Sequence, residues 1–210
     1  MKRPALIFAL VLHVSGIFGQ PGNAQTLPPH FSEVASQASQ HKALQARFTQ
    51  IKESLLFIEP QRVTGEFAWR FPSDVRWTYN DSGSFLRVGG GSYWIGTDGA
   101  SRRIDLPGGG DMIPIMLSLV TLDVEAVQSA FRITELEPPA GNLWRFRFDP
   151  KGPKGPFAHV EVDILRDGGV ATQLVLTESS GDIIRISFEQ VAINPVFSER
   201  TWHVPEATNE

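Results

Sequence analysis

Cysteine is absent from all 210 residues, which rules out a disulfide framework, a thiolate zinc site and a thiol nucleophile. An acylated cysteine at a cleavage site is ruled out with them, so the chain is not expected to carry a lipid anchor of its own. Basic charge is in short supply. With Lys2 and Arg3 set aside, 17 basic residues face 23 acidic ones, a formal charge of −6. A mildly acidic chain without a basic cluster is a poor partner for nucleic acid or anionic lipid headgroups. Long apolar runs are missing as well: after the first two dozen residues, none approaches the roughly 20 needed to span a bilayer.

Catalytic constellations are missing too. Neither glycine triplet, 89–91 or 108–110, is followed by the Gly-Lys-Ser/Thr that cradles phosphate, and neither opens a Rossmann unit. Both read as hairpin loops. His30, His41, His159 and His203 have no metal-ligand spacing to a second histidine or carboxylate on one helical face. Ser179-Ser180-Gly181 is not the Gly-x-Ser-x-Gly elbow of a hydrolase. Glu161 and Asp163 alternate with Val160 and Val162, the pattern of a strand's solvated face. No catalytic residue, metal site or cofactor is expected, and the chain does not read as an enzyme.

What is present begins with a secretory leader. Lys2 and Arg3 precede a mostly apolar stretch from Ala5 to Gly19, and Gly22-Asn23-Ala24 sets small residues where a signal peptidase reads. The expected boundaries are a signal peptide over 1–24 and one exported domain over 25–210, whose 186 residues suffice for a real core. Residues 29–46 read as a helix with Pro29 in its first turn and Phe31, Val34, Ala35, Ala38 and Leu44 on one stripe.

From there the period changes to two. Phe67, Trp69 and Phe71 share a face, as do Val75, Trp77 and Tyr79, with Pro72-Ser73 as the turn between them. Short strands follow at 85–88, 93–95 and 102–106. The meander then breaks at a segment dense in apolar residues after Asp111, including Met112, Ile113, Ile115, Met116 and Leu117. A short helix over 123–130 precedes further strands at 131–136, 143–148, 159–165, 172–177, 183–191 and 201–204. About a dozen strands in one domain point to a barrel or sandwich that manages its edges by curling.

These residues resemble the periplasmic outer-membrane lipoprotein carrier family, the LolA-like proteins. Leu44-x-x-x-Phe48-Thr49-Gln50 is similar to the family's opening strand. Gly65-x-Phe67-x-Trp69-Arg70-Phe71-Pro72-x-x-Val75-Arg76-Trp77-x-Tyr79 is similar to its signature hairpin. Gly90-x-x-x-Trp94 and Pro114-Ile115-Met116-Leu117 match the next hairpin and the mid-chain helix. Gly181, Ile186, Phe188, Asn194, Phe197, Trp202 and Pro205 follow at the family's spacing. Two positions depart from the pattern. Phe71 stands where the hairpin's lid-tying arginine is usual, and Gly89 replaces an aspartate.

The resemblance implies a mainly β fold with helices: a single incomplete antiparallel barrel of about eleven strands, with an N-terminal helix and a mid-chain helical lid. It implies a monomeric carrier in the periplasm that shelters acylated lipoproteins or other lipids. Loading would occur at an inner-membrane ABC transporter and delivery at an outer-membrane receptor. Phe67, Trp69, Phe71, Val75, Trp77, Trp94, Trp144, Phe146 and Phe148 are then expected to face a lipid-binding cavity, under a lid carrying Met112, Ile115, Met116 and Leu117. The alternation alone is equally the pattern of ordinary core. Two other functions share the fold: a carrier of phospholipid or glycolipid precursors, which Phe71 before Pro72 motivates, and a signalling subunit that senses lipids or misfolded proteins.

Overall fold

A computed structural model describes residues 26–54, 56, 58–97, 100–104, 112–138, 140–152 and 157–205. The expected leader over 1–24, Asp111 and the tail 206–210 lie outside them. Helix α1 (Pro29–Ala38) begins at two prolines, whose fixed φ suits a first turn, and buries Phe31, Val34, Ala35 and Ala38. It ends well before residue 46. The N–H groups of Ser39, Gln40 and His41 fold back on the carbonyls of Ala35, Gln37 and Ala38. The chain then enters strand β1 (Ala43–Glu53). Leu44 completes the helical stripe in sequence, yet it sits in the sheet between Trp69 and Ile193. Ladder bonds on both sides of the strand outweigh local helix propensity.

Ten more strands follow: β2 (Gln61–Arg70), β3 (Asp74–Tyr79), β4 (Phe85–Gly89), β5 (Ser92–Thr97), β6 (Ala100–Ile104), β7 (Phe131–Leu136), β8 (Leu143–Pro150), β9 (Phe157–Leu165), β10 (Ala171–Glu178) and β11 (Ile183–Ile193). Helices α2 (Met112–Thr121) and α3 (Val124–Ala130) separate β6 from β7. The Asp123 side chain caps α3 by accepting from the Ala126 N–H. All strands join one antiparallel sheet, in the order β6-β5-β4-β3-β2-β1-β11-β10-β9-β8-β7. The result is the expected incomplete barrel: two meanders sewn together where the first strand pairs with the last. Residues 201–204, expected as a strand, instead join a 3₁₀ turn over Glu199–Trp202 and its extended exit.

The register determines which side chains face inward. One inner row runs Leu44, Trp69, Val75, Val88, Tyr93 across β1 to β5, and the next runs Phe67, Trp77, Leu86 across β2 to β4. In the other half, Phe148, Val160, Leu176 and Ile184 form one row, and Phe146, Val162, Leu174 and Ile186 another. Gly65 lies beneath the Phe48 ring and against the Thr78 carbonyl, where a Cβ would collide with both. That opening lets Phe48 reach Trp77, with ring centroids 4.5 Å apart.

The outer face is not uniformly solvated. Asp163, which reads as a solvated strand residue, is buried and takes a two-pronged bond from Arg145, Nε to Oδ1 at 2.6 Å and Nη2 to Oδ2 at 2.8 Å. Paired in this way, a carboxylate is tolerated in a poorly hydrated site.

Candidate functional site

Helix α1 closes one end of the concave face. Phe31 sets its edge on Phe146 at 5.2 Å and on Phe148 at 5.8 Å between centroids. Phe31, Phe146 and Phe148 are 0% exposed, so no water-sized space touches them in this conformation. His30 stacks on Trp144 at 3.7 Å, and its Nδ1 lies 2.8 Å from Glu135 Oε1. Arg166 also packs against the Trp144 ring, at 3.9 Å. At the end of α1, Gln37 Oε1 accepts from the Gly168 N–H. His41 is buried beside this turn; burial pushes its pKa down, only partly opposed by its hydrogen bond to the Gly168 backbone.

The remainder of the face is more open. Trp77, Tyr79, Leu86 and Tyr93 on β3 to β5 are half-buried and packed against the core. So are Met116 and Leu117 of α2, whereas Leu119 and Val120 of the same helix are fully within it. Val120 helps close a small apolar crevice over Leu44, Ala46, Phe67, Ala171 and Phe188, with about 10 Å³ of free space, room for about one water. The inner face ends in charge: Lys52 Nζ lies 3.1 Å from Glu178 Oε1 and 3.5 Å from Asp182 Oδ2.

The residues expected to line a cavity therefore divide. Phe67, Trp69, Val75, Phe146 and Phe148 are buried inner-face residues, while Trp77 and Trp144 are inner-face residues that retain some exposure. Phe71 departs from the expectation. It sits in the turn after β2, joined to Pro72 by a cis peptide bond, 58% exposed with Lys42 Nζ 4.9 Å above its ring. Trp94 also departs, because its register partners are Arg87 and Arg103 on the outer face, while Tyr93 turns inward. The turn at Gly90-Gly91 conceals that one-residue offset from any count of alternation.

Of the expected lid, Met112 and Ile115 belong to the backbone of α2, and their side chains lie outside the described residues. Alternation within single strands does not place Leu86 and Tyr93 on the inner face; carrying the register across the hairpins does.

The outer face binds the C-terminal segment. Arg70 donates to Asp74 Oδ2 through Nε and Nη2 at 3.1 and 2.8 Å, and Arg87 Nη2 donates to Oδ1 at 2.7 Å. Both guanidiniums pack on the Trp202 ring, at 4.7 and 5.2 Å. Burial raises the Asp74 pKa, but the bonds and charges of the two arginines outweigh it and hold the carboxyl below the usual range. Arg76 Nη1 donates to the His203 carbonyl at 2.7 Å. Arg70 and Arg76, the arginines nearest Phe71, are thus engaged on the face opposite the helices.

Among the described residues, no three His, Asp or Glu side chains gather where they could hold a metal ion. No helix among them is long and apolar enough to cross a membrane.

A half-open antiparallel barrel with an apolar, partly accessible concave face and a helix laid over it defines a binding module for apolar ligands. The chain belongs to the outer membrane lipoprotein carrier protein LolA family, whose model matches residues 39–204. Among solved structures, it is similar to an uncharacterized conserved protein from Thermus thermophilus at 11% identity. The match covers 83% of this chain and 94% of that one, with a TM-score of 0.52. A DUF1329 family protein from Desulfovibrio piger is similar at 8% identity, 83% and 95% coverage and a TM-score of 0.48. A LolA superfamily protein from Nitrosomonas europaea is similar at 6% identity, 82% and 97% coverage and a TM-score of 0.45. No curated relative matches the chain.

Proposed function

We propose that this protein is a periplasmic carrier, not an enzyme, exported by residues 1–24, which holds the acyl chains of lipoproteins on its concave face and shuttles them from inner to outer membrane. The observation that carries the reading is the half-buried apolar strip Trp77, Tyr79, Leu86 and Tyr93, with Met116 and Leu117 of α2 on the same core. Each methylene removed from water is worth about 0.8 kcal/mol, so a bare 16-carbon chain in the periplasm costs roughly 12 kcal/mol. A carrier must recover most of that and still release its cargo.

An accessible strip suits this need better than the solid core under α1. Methionine adds to it, since its unbranched, polarizable side chain repacks around varied tails. The Lys52–Glu178–Asp182 cluster, at the edge of the inner face, marks where an acyl chain would end and a polar headgroup or peptide begin. Energy for loading would come from an ATP-driven inner-membrane transporter, and an outer-membrane receptor would accept the cargo.

One feature favours a second reading, a carrier of phospholipid or glycolipid precursors: Phe71 replaces the arginine that ties the family's lid, and Arg70 and Arg76 are committed elsewhere.

Native mass spectrometry of the protein purified without detergent from the periplasm of a diderm host tests the proposal. A bound mass matching an acylated lipoprotein is the expected result. A phospholipid or glycolipid mass moves the function to the second reading. Bare protein that also ignores added lipid sinks both.

A further inference from the structure

Between Glu53 and Pro60 the sequence reads Ser54-Leu55-Leu56-Phe57-Ile58-Glu59, a run of four apolar residues in a hairpin connection, where turns are ordinarily polar. Leu56 is 87% exposed and Ile58 103% exposed, so each shows water nearly as much surface as in an extended chain. Single exposed apolar residues need no explanation, but two in one four-residue run form a patch.

The patch projects beyond β3, while β11 stays paired with β1 as far as Glu53 and Ile183. Tyr79, the last residue of β3, pairs with Gly65, so Gln61–Val63 of β2 pair in the sheet only with β1. At this end of β3, β4 and β11, the inner-face residues Tyr79, Leu86 and Ile184 keep partial exposure, while Phe148, Val160 and Leu176 in the other half of the sheet are buried.

We propose that the β1–β2 tip is a membrane-docking element that inserts Leu56 and Ile58 into the surface of a zwitterionic bilayer. A stable protein interface takes about 800 Å² from each partner, more than a short tip exposing Leu56 and Ile58 supplies. A bilayer needs only apolar side chains able to reach the headgroup–acyl boundary, roughly 5–10 Å deep. Charge narrows the choice further. Residues 53–60 contain no Lys or Arg and two Glu, and Glu53 Oε1 lies 3.7 Å from Arg185 Nε. The apolar run itself therefore offers no attraction to anionic headgroups, and its exposed leucine and isoleucine supply the driving force. Docking in this way turns the partly exposed inner-face residues Tyr79, Leu86 and Ile184 toward the lipid, a short path for an acyl chain between bilayer and carrier. That consequence rests on the carrier reading, whereas the docking itself does not.

The test is vesicle flotation of the purified protein with phosphatidylcholine–phosphatidylethanolamine vesicles, comparing wild type with a Leu56→Glu/Ile58→Glu double variant. Because both side chains are exposed, the double variant should keep its circular dichroism spectrum and melting temperature. Vesicle partition should fall about a hundredfold and, in wild type, should be insensitive to salt. A fluorescent fatty acid added without vesicles should bind both proteins equally. Wild type that stays at the bottom of the gradient overturns the proposal. So does a double variant that floats equally, or flotation that requires anionic lipid and is lost in high salt. Failure of both proteins to bind the fatty acid would sink the carrier reading instead, while flotation would still read the tip.

Discussion

Phe31→Ala tests how the concave face is divided between permanent core and cargo site. Phe31 is 0% exposed and lays its ring edge-on against Phe146 and Phe148, themselves without exposure. Truncating a buried phenylalanine removes its transfer free energy and leaves a cavity that α1, anchored at its far end by Gln37 on Gly168, only partly fills. The expected loss is about 3–5 kcal/mol. At roughly 2–4 °C per kcal/mol for a chain of this size, the melting temperature should fall by about 6–20 °C. Urea denaturation followed by far-ultraviolet circular dichroism supplies the free energy, and a fluorescent fatty acid titration supplies the binding constant. Binding should change little, because the accessible strip on β3 to β5 is untouched. A stability loss below about 1 kcal/mol, or tighter fatty acid binding at unchanged stability, would refute the reasoning. Helix α1 would then be a displaceable cover and the surface beneath it part of the cargo site.

The half-buried position of Met116 on α2 predicts that Met116→Asp folds but binds a fluorescent fatty acid at least tenfold more weakly; loss of the circular dichroism spectrum would make α2 core instead. His41 is buried with its pKa pushed below the ordinary 6.5, so the unfolded chain binds the proton more readily. Stability should fall as pH drops from about 6.5 through the folded value, and urea midpoints between pH 7.5 and 5 should lose that slope in His41→Gln. Asp74 is the opposite charge type with a lowered pKa, so its contribution is present above about pH 4 and disappears as pH falls through the folded value. Asp74→Ala strips two arginines of their shared partner and should cost about 2–4 kcal/mol by urea denaturation at pH 7. Gly65→Ala forces a Cβ into Phe48 and the Thr78 carbonyl and should lower stability by about 1–3 kcal/mol, measured in the same way.

Period-two aromatics at 67, 69, 75 and 77, turn residues at Pro72-Ser73, and the short helix opened by Asp123 are local signals, and each was legible from neighbouring residues alone. So was the apolar density of 112–117, because a helix that covers a sheet must be apolar wherever it touches it. The end of α1 was not legible. Leu44 satisfies a helical stripe as well as it satisfies a strand, and only pairing with β2 and β11 decides between them. The inward position of Tyr93 and the outward one of Trp94 depend on register across a glycine turn, which no single strand contains.

The same holds for Asp163. Alternation places it outside, but only the fold brings Arg145 beneath it. The exposed apolar tip at 56 and 58 stood in plain view in the sequence, yet a short apolar run reads as buried strand until the hairpin's projection beyond β3 is known. Sequence alone thus determined the class of fold and where its apolar residues fall along the chain, since hydrophobic period and turn chemistry act over a few residues. Which of those residues became solid core, which kept an accessible surface and which turned to solvent was decided by strand register and helix docking. Those are contacts between residues far apart in the chain, and their free energy exists only once the sheet has curled around them.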